Sequence, residues 1–146
     1  MDTGSHINDM LLWITGLEPK RVQAFINQEG TLVDVQTAVA VEFTNGAVGS
    51  LSYTSMSPEW REEFTFYGTE GVMRFGAAEP LRVTRRGEDT ILPRPASGGK
   101  APLQNFLDAV QGKAAVQAPP ICGLRVAQLT EAAYKSAHSG HPEPVG

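Results

Sequence analysis

The chain has a single cysteine, Cys122, so no intrachain disulfide can form and neither a CxxC pair nor a Cys/His zinc cluster can be assembled. That usage fits a reducing compartment, and a cytoplasmic location is expected. Positive charge is also scarce, with 12 Lys and Arg against 16 Asp and Glu, a net charge of -4 and a pI near 5.3. With no basic run to neutralise phosphates, neither nucleic acid nor an anionic membrane surface is an expected partner. Arg82, Arg85 and Arg86 form the densest cationic cluster and read as the solvated end of a strand. No apolar stretch approaches the ~20 residues of a membrane span. The N-terminus lacks the basic segment followed by an apolar one that marks a secretory leader.

What is present suits one globular core. At 146 residues, 41% hydrophobic and 19% charged, the chain is long enough for one ordinary domain and short for two. The stretch "DVQTAVAVEF" alternates strictly, with Val35, Thr37, Val39, Val41 and Phe43 on one side and Gln36, Ala38, Ala40 and Glu42 on the other. This is the period of a strand with unequal faces. Asn45-Gly46 then gives the strongest short hairpin signal, since both residues tolerate positive φ, and "AVGSLSYTSM" is the antiparallel partner. "KRVQAFIN" reads as an earlier strand. "EEFTFYG" and "GVMRFG" flank Thr69-Glu70 as a second hairpin, and "PLRVTRRGEDTILP" supplies two shorter strands around Gly87-Glu88.

Between Pro93 and Pro102 the composition turns to loop residues, after which "PLQNFLDAVQG" places Leu103, Phe106, Leu107 and Val110 at helical spacing before Gly112. A last helix lies in "CGLRVAQLTEAAYKSAHSG", with Val126, Leu129, Ala133 and Ala137 along one face. The order helix, sheet, helix, helix predicts an α+β fold: one open, mainly antiparallel sheet of about six to seven strands with helices on one face. Ser50, Ser52, Thr54, Thr65 and Tyr67 mix with apolar residues along the strands. A homodimer covering the open sheet face is expected.

The first helix carries the chemistry. In "MDTGSHINDMLLWITG", Asp2, His6, Asp9 and Trp13 fall within about 60° of one another around a helix, beside an apolar stripe of Ile7, Met10, Leu11 and Ile14. Asp and His four apart on a helix can meet, and a carboxylate that accepts from one imidazole nitrogen raises the basicity of the other, which makes a general base. The same residues also read as a helix cap with a surface histidine, and "GSH" as a cloning remnant, although periodicity runs unbroken into "INDMLLWI". A metal site built on Asp2, His6 and Asp9 lacks a further His or Cys cluster to complete it. His138 and His141 sit at the far end of the last helix, where positive charge suits the dipole.

"DTGSHINDMLLWITG" resembles the DxGxHxxD segment, followed by an aromatic residue and Gly, that opens the C-terminal domain of the glucose-fructose oxidoreductase, inositol dehydrogenase and rhizopine-catabolism (Gfo/Idh/MocA) family. "NGAVGSLSYTS" is similar to that family's Asn-Gly hairpin and following strand, and "FYGTEGVMRF" to its Gly-Thr-Glu-Gly turn. "NFLDAVQGK" and "GLRVAQLTEAAYKSAHSG" are similar to its last two helices. The likeness therefore covers nearly the whole chain, in order.

The resemblance implies a nicotinamide-dependent oxidoreductase acting on a sugar, cyclitol or related polyol, in which residues 1–146 form a single C-terminal substrate and oligomerisation domain. It puts His6 at the acid/base position, Asp2 at the orienting or hydroxyl-binding one, and Asp9 at a second acidic position weighted towards a structural hydrogen bond. Trp13, and Trp60 with Arg61 in the loop "TSMSPEWRE", are candidate substrate contacts. No GxGxxG segment stands between a strand and a helix and no EKP segment occurs. The N-terminal Rossmann domain is thus expected to lie outside this chain, NAD or NADP to bind the parent protein, and this chain alone to lack hydride transfer. The alternative is a stand-alone carbohydrate-binding or oligomerisation module, in which Trp13, Trp60, Tyr53 and Tyr67 stack on sugar rings.

Overall fold

In the computed structural model, which describes residues 3–77, 79–93 and 101–146, the chain divides into two compact units: Met1–Ser57 with Val116–Gly146, and Pro58–Ala115. The first unit contains helix α1 (Thr3–Thr15), strands β1 (Pro19–Asn27), β2 (Gln36–Phe43) and β3 (Val48–Thr54), helix α3 (Pro120–Ser139) and a short strand β8 (Glu143–Pro144). The second contains β4 (Glu63–Gly68), β5 (Gly71–Gly76), β6 (Leu81–Arg85), β7 (Glu88–Leu92) and helix α2 (Pro102–Val110). The α+β class and the antiparallel pairing agree with the sequence. The strands, however, are shared between two four-stranded sheets, ordered β3-β2-β1-β8 and β4-β5-β6-β7. Residues 55–62, which include Pro58, form no strand and separate the two.

The alternation in β2 works as expected. Thr37, Val39, Val41 and Phe43 are buried, whereas Gln36, Ala38 and Ala40 face solvent. In register, Val39 lies between Ala24 of β1 and Leu51 of β3, and Val41 pairs with Val22. These side chains and Leu12 of α1 form one core with Leu129, Ala132 and Ala133 of α3. The expected α3 stripe is thereby confirmed: Leu129 and Ala133 are buried, and Val126 and Ala137 pack against them.

The Asn45-Gly46 hairpin forms by a different route from the one its residues suggest. Only Gly46 has positive φ, at 86°, and Asn45 instead accepts the Ala47 N–H on its side-chain oxygen at 3.0 Å. This combines a turn with one left-handed residue at its end, rather than two left-handed residues in succession.

β8 has no sequence signal, because Pro142 and Pro144 leave it too short for an alternating pattern. It pairs with only Arg21 and Val22 of β1. Beyond it the β1 edge is satisfied by α3: the buried Ser136 hydroxyl accepts the Ala24 N–H at 3.0 Å and donates to the His141 carbonyl at 2.7 Å.

In the second unit, Phe64 and Phe75 stack across β4 and β5 with ring centroids 4.9 Å apart. The β6–β7 hairpin turns at Arg86-Gly87, both at positive φ (51° and 84°), one residue earlier than the sequence suggested. Helix α2 has its expected span but not its expected face. Leu103, Phe106 and Val110 are 69%, 61% and 70% exposed, and the buried residues are Asn105 and Asp108. On the inward face the Asp108 carboxyl accepts from Gln104 Nε2 at 2.9 Å, one turn back, and the Asn105 side chain reaches the following loop. Asn105 Nδ2 donates to the Ala115 carbonyl at 3.0 Å, and the Lys113 N–H donates to the Asp108 carbonyl at 2.8 Å.

Candidate functional site

Helix α1 ends at Gly16, left-handed with φ 63°, whose N–H donates to the Leu12 carbonyl at 2.9 Å. Its azimuth is set by the buried face. Leu12 enters the core, and Asn8, 1% exposed, donates from Nδ2 to Thr130 Oγ1 of α3 at 3.2 Å. With Asn8 and Leu12 inward, His6, Asp9 and Trp13 are turned to solvent on adjacent turns, and Trp13 is 65% exposed. Neither His6 nor Asp9 makes a side-chain hydrogen bond to another described residue, so the imidazole nitrogens and the carboxylate oxygens are open to a ligand. Asp2 lies outside the described residues.

Trp60 and Arg61 belong to the second unit. Trp60 is 76% exposed, and the Arg61 guanidinium is engaged by Glu63, with Nη2 2.6 Å from Oε1. Arg61 Nε donates to the same oxygen at 3.1 Å, and this pairing raises the arginine above its ordinary value.

A cluster that sequence reasoning missed lies inside the first unit. The carboxyl of Asp34, in the β1–β2 loop and 8% exposed, accepts from the Tyr134 hydroxyl of α3 at 2.6 Å on Oδ1 and from the Thr37 hydroxyl of β2 at 3.1 Å on Oδ2. Burial pulls this carboxyl upward, but hydrogen bonds, that from Tyr134 first, and the positive charge of the chain's amino terminus together outweigh it, and the group lies below the ordinary carboxylate range. Tyr53 of β3 adjoins the cluster. Burial pushes its hydroxyl up to about 12, aided by the Asp34 charge and opposed by a hydrogen bond with Thr37. Burial and the Asp34 bond raise Tyr134 as well. Only the placing of an acidic residue three before Thr37, at the start of a buried strand, hinted at this arrangement.

The outer face of the β3-β2-β1-β8 sheet is open. Phe25 is 73% and Val48 81% exposed, and Phe25, Ala38, Ser52 and Thr54 line a shallow cavity of about 430 Å³. At one end Lys20 Nζ lies 2.9 Å from Glu42 Oε1 and Arg21 contacts Oε2, and the two cations hold the Glu42 carboxyl below its ordinary range. Among the described residues no three His, Cys, Asp or Glu side chains gather as a metal site requires. No described helix is long and apolar enough to cross a membrane.

Residues 1–74 match the family model for the GFO/IDH/MocA C-terminal domain. Solved structures share the fold. An NAD-binding protein from Listeria innocua is 20% identical, with a TM-score of 0.81 over 99% of this chain and 46% of its own. The WlbA dehydrogenase from Bordetella pertussis, solved with NADH and UDP-GlcNAcA, is 22% identical with a TM-score of 0.78, covering 99% of this chain and 44% of its own. The UDP-N-acetylglucosamine 3-dehydrogenase GnnA from Acidithiobacillus ferrooxidans is 20% identical with a TM-score of 0.78, covering 91% and 46%. The chain thus spans less than half the length of each of these. No curated protein sequence matches it.

Proposed function

We propose, for a chain that belongs to the GFO/IDH/MocA family through its C-terminal domain, that it is the substrate side of an NAD(P)-linked oxidoreductase acting on a sugar, cyclitol or related polyol. The observation that carries this reading is α1, where a buried Asn8 and Leu12 leave His6, Asp9 and Trp13 together on the solvent face inside the matched residues. The substrate class is supported by the nucleotide sugar bound to the Bordetella pertussis dehydrogenase and the one named for the Acidithiobacillus ferrooxidans enzyme.

In this reading His6 passes a proton to or from a substrate hydroxyl, which a positioned imidazole does well near neutral pH. Asp2 orients it or binds a neighbouring hydroxyl, and Asp9 supplies a hydrogen bond that holds the helix face or the sugar. Trp13 offers an apolar ring for the sugar's C–H face. Trp60 and Arg61 are kept as candidate substrate contacts, Arg61 after exchanging Glu63 for a ligand oxygen.

The nicotinamide does not fit the described residues. A dinucleotide fold needs parallel strands joined through a glycine-rich turn into a helix, and every strand pair here is antiparallel. The cofactor is therefore assigned to another part of the parent protein. A second copy of the chain is assigned to the open sheet face around Phe25 and Val48, giving a homo-oligomer.

The exposed Trp13 and Trp60 favour one second reading, a carbohydrate-binding or oligomerisation module without catalysis. The coding frame upstream of Met1 should be read and the whole encoded protein assayed with UDP-N-acetylglucosamine and myo-inositol. His6→Asn is expected to lower kcat about 10²- to 10⁴-fold with KM changed far less. An unaltered kcat would remove His6 from the chemistry. Sugar binding by the 146-residue chain that Trp13→Ala abolishes, without dehydrogenase activity in the whole protein, would favour the module.

A further inference from the structure

The Asp34 carboxyl takes no part in the proton chemistry above, yet its bonds lead back to α1. Tyr134, which donates to it at 2.6 Å, lies one helical turn along α3 from Thr130, which accepts from Asn8 of α1 at 3.2 Å. Thr37 ties the other carboxyl oxygen to β2 at 3.1 Å. A series of side-chain bonds therefore runs from the second strand through the β1–β2 loop and α3 to the buried face of α1.

Asn8, together with Leu12, sets what α1 shows to solvent, and His6 and Asp9 lie two and one residues from Asn8 along the helix. A small rotation of α3 about its axis moves Thr130 and, with it, Asn8. The core contacts of Leu129, Ala132 and Ala133 resist sliding but are non-directional, whereas a buried charge-assisted hydrogen bond is directional and short.

We infer that Asp34, acting through Tyr134 and α3, is a positioning residue that fixes the azimuth of α1 and so the presentation of His6 and Asp9. The catalytic meaning of this inference rests on the reading of His6 given above, but the mechanical link does not.

The test uses the chain itself. In a double-mutant cycle of Asn8→Ala with Tyr134→Phe, the effects on the unfolding equilibrium constant are expected to be non-additive by about fivefold or more, although the two side chains share no bond. In a two-dimensional amide spectrum, Tyr134→Phe and Asp34→Ala are expected to move the His6 and Asp9 cross-peaks. Asp34→Asn, which keeps an acceptor oxygen for Tyr134, should restore them towards their original positions. An additive cycle with unmoved His6 and Asp9 cross-peaks would overturn the inference. Should Asp34→Ala fail to fold, Tyr134→Phe decides, since it removes a single oxygen atom. A coupled cycle combined with an unaltered kcat in His6→Asn would sink the acid/base reading and leave the positional link standing. An additive cycle sinks the link whatever His6 does.

Discussion

The two four-stranded sheets solve the same problem differently. Every buried apolar side chain among the described residues belongs to the first unit, where α3 packs on β1 and shares one core with β2. In the β4-β5-β6-β7 sheet the apolar residues Phe64, Phe66, Met73 and Phe75 are only half-buried. Order there comes instead from cross-strand aromatic stacking and from close backbone approach at glycine. A sheet with a helix over it is held by volume filling, and a sheet without a closed core by local pair geometry.

The contrast can be broken most severely at Leu129, which is 0% exposed at the centre of the first unit. Leu129→Ala is expected to cost about 2–5 kcal/mol, read from denaturant unfolding. Gly71→Ala attacks the other sheet. A Cβ there would collide with the Thr84 backbone carbonyl, and a loss of about 1–3 kcal/mol is expected, with amide exchange increased in β4–β7 before it rises in β1–β3. Equal exchange in both sheets would mean that they unfold as one.

Ser136→Ala sharpens the role of α3 as a substitute strand. It leaves the Ala24 N–H without its side-chain acceptor, for about 1–2 kcal/mol in thermal unfolding. Asp34 supplies a pH dependence confined to the first unit. Its folded-state pKa lies below the unfolded value, so the carboxylate stabilises the fold above the ordinary carboxylate pKa, and that contribution disappears as pH falls through the lower folded value. The fall in Tm between pH 7 and pH 3 is expected to be smaller in Tyr134→Phe than in the parent chain. Trp13→Ala should change stability by less than about 0.5 kcal/mol, because the ring is 65% exposed.

Legibility followed the range of the interactions. The period of two in β2 and the stripe in α3 were readable because each is a local pattern facing one large core. Helix α2 misled for the same reason: Leu103, Phe106 and Val110 have core spacing, but Asn105 and Asp108 face inward, Asn105 with a side-chain bond to the Ala115 carbonyl that the pattern does not encode. On α1 the polar stripe and its exposure were foreseeable. The Asn8–Thr130 and Asp34–Tyr134 contacts, which join residues 122 and 100 positions apart, were not.

Residue order alone settled the α+β class, the hairpins, the cap at Gly16 and the family, since these depend on propensities and motifs within a few residues. Tertiary structure decided the division into two sheets, the pairing of β8 with β1, the inward face of α2 and the buried bonds behind α1. Each of those depends on which distant groups meet, and a buried donor or acceptor must find its partner wherever the fold provides one.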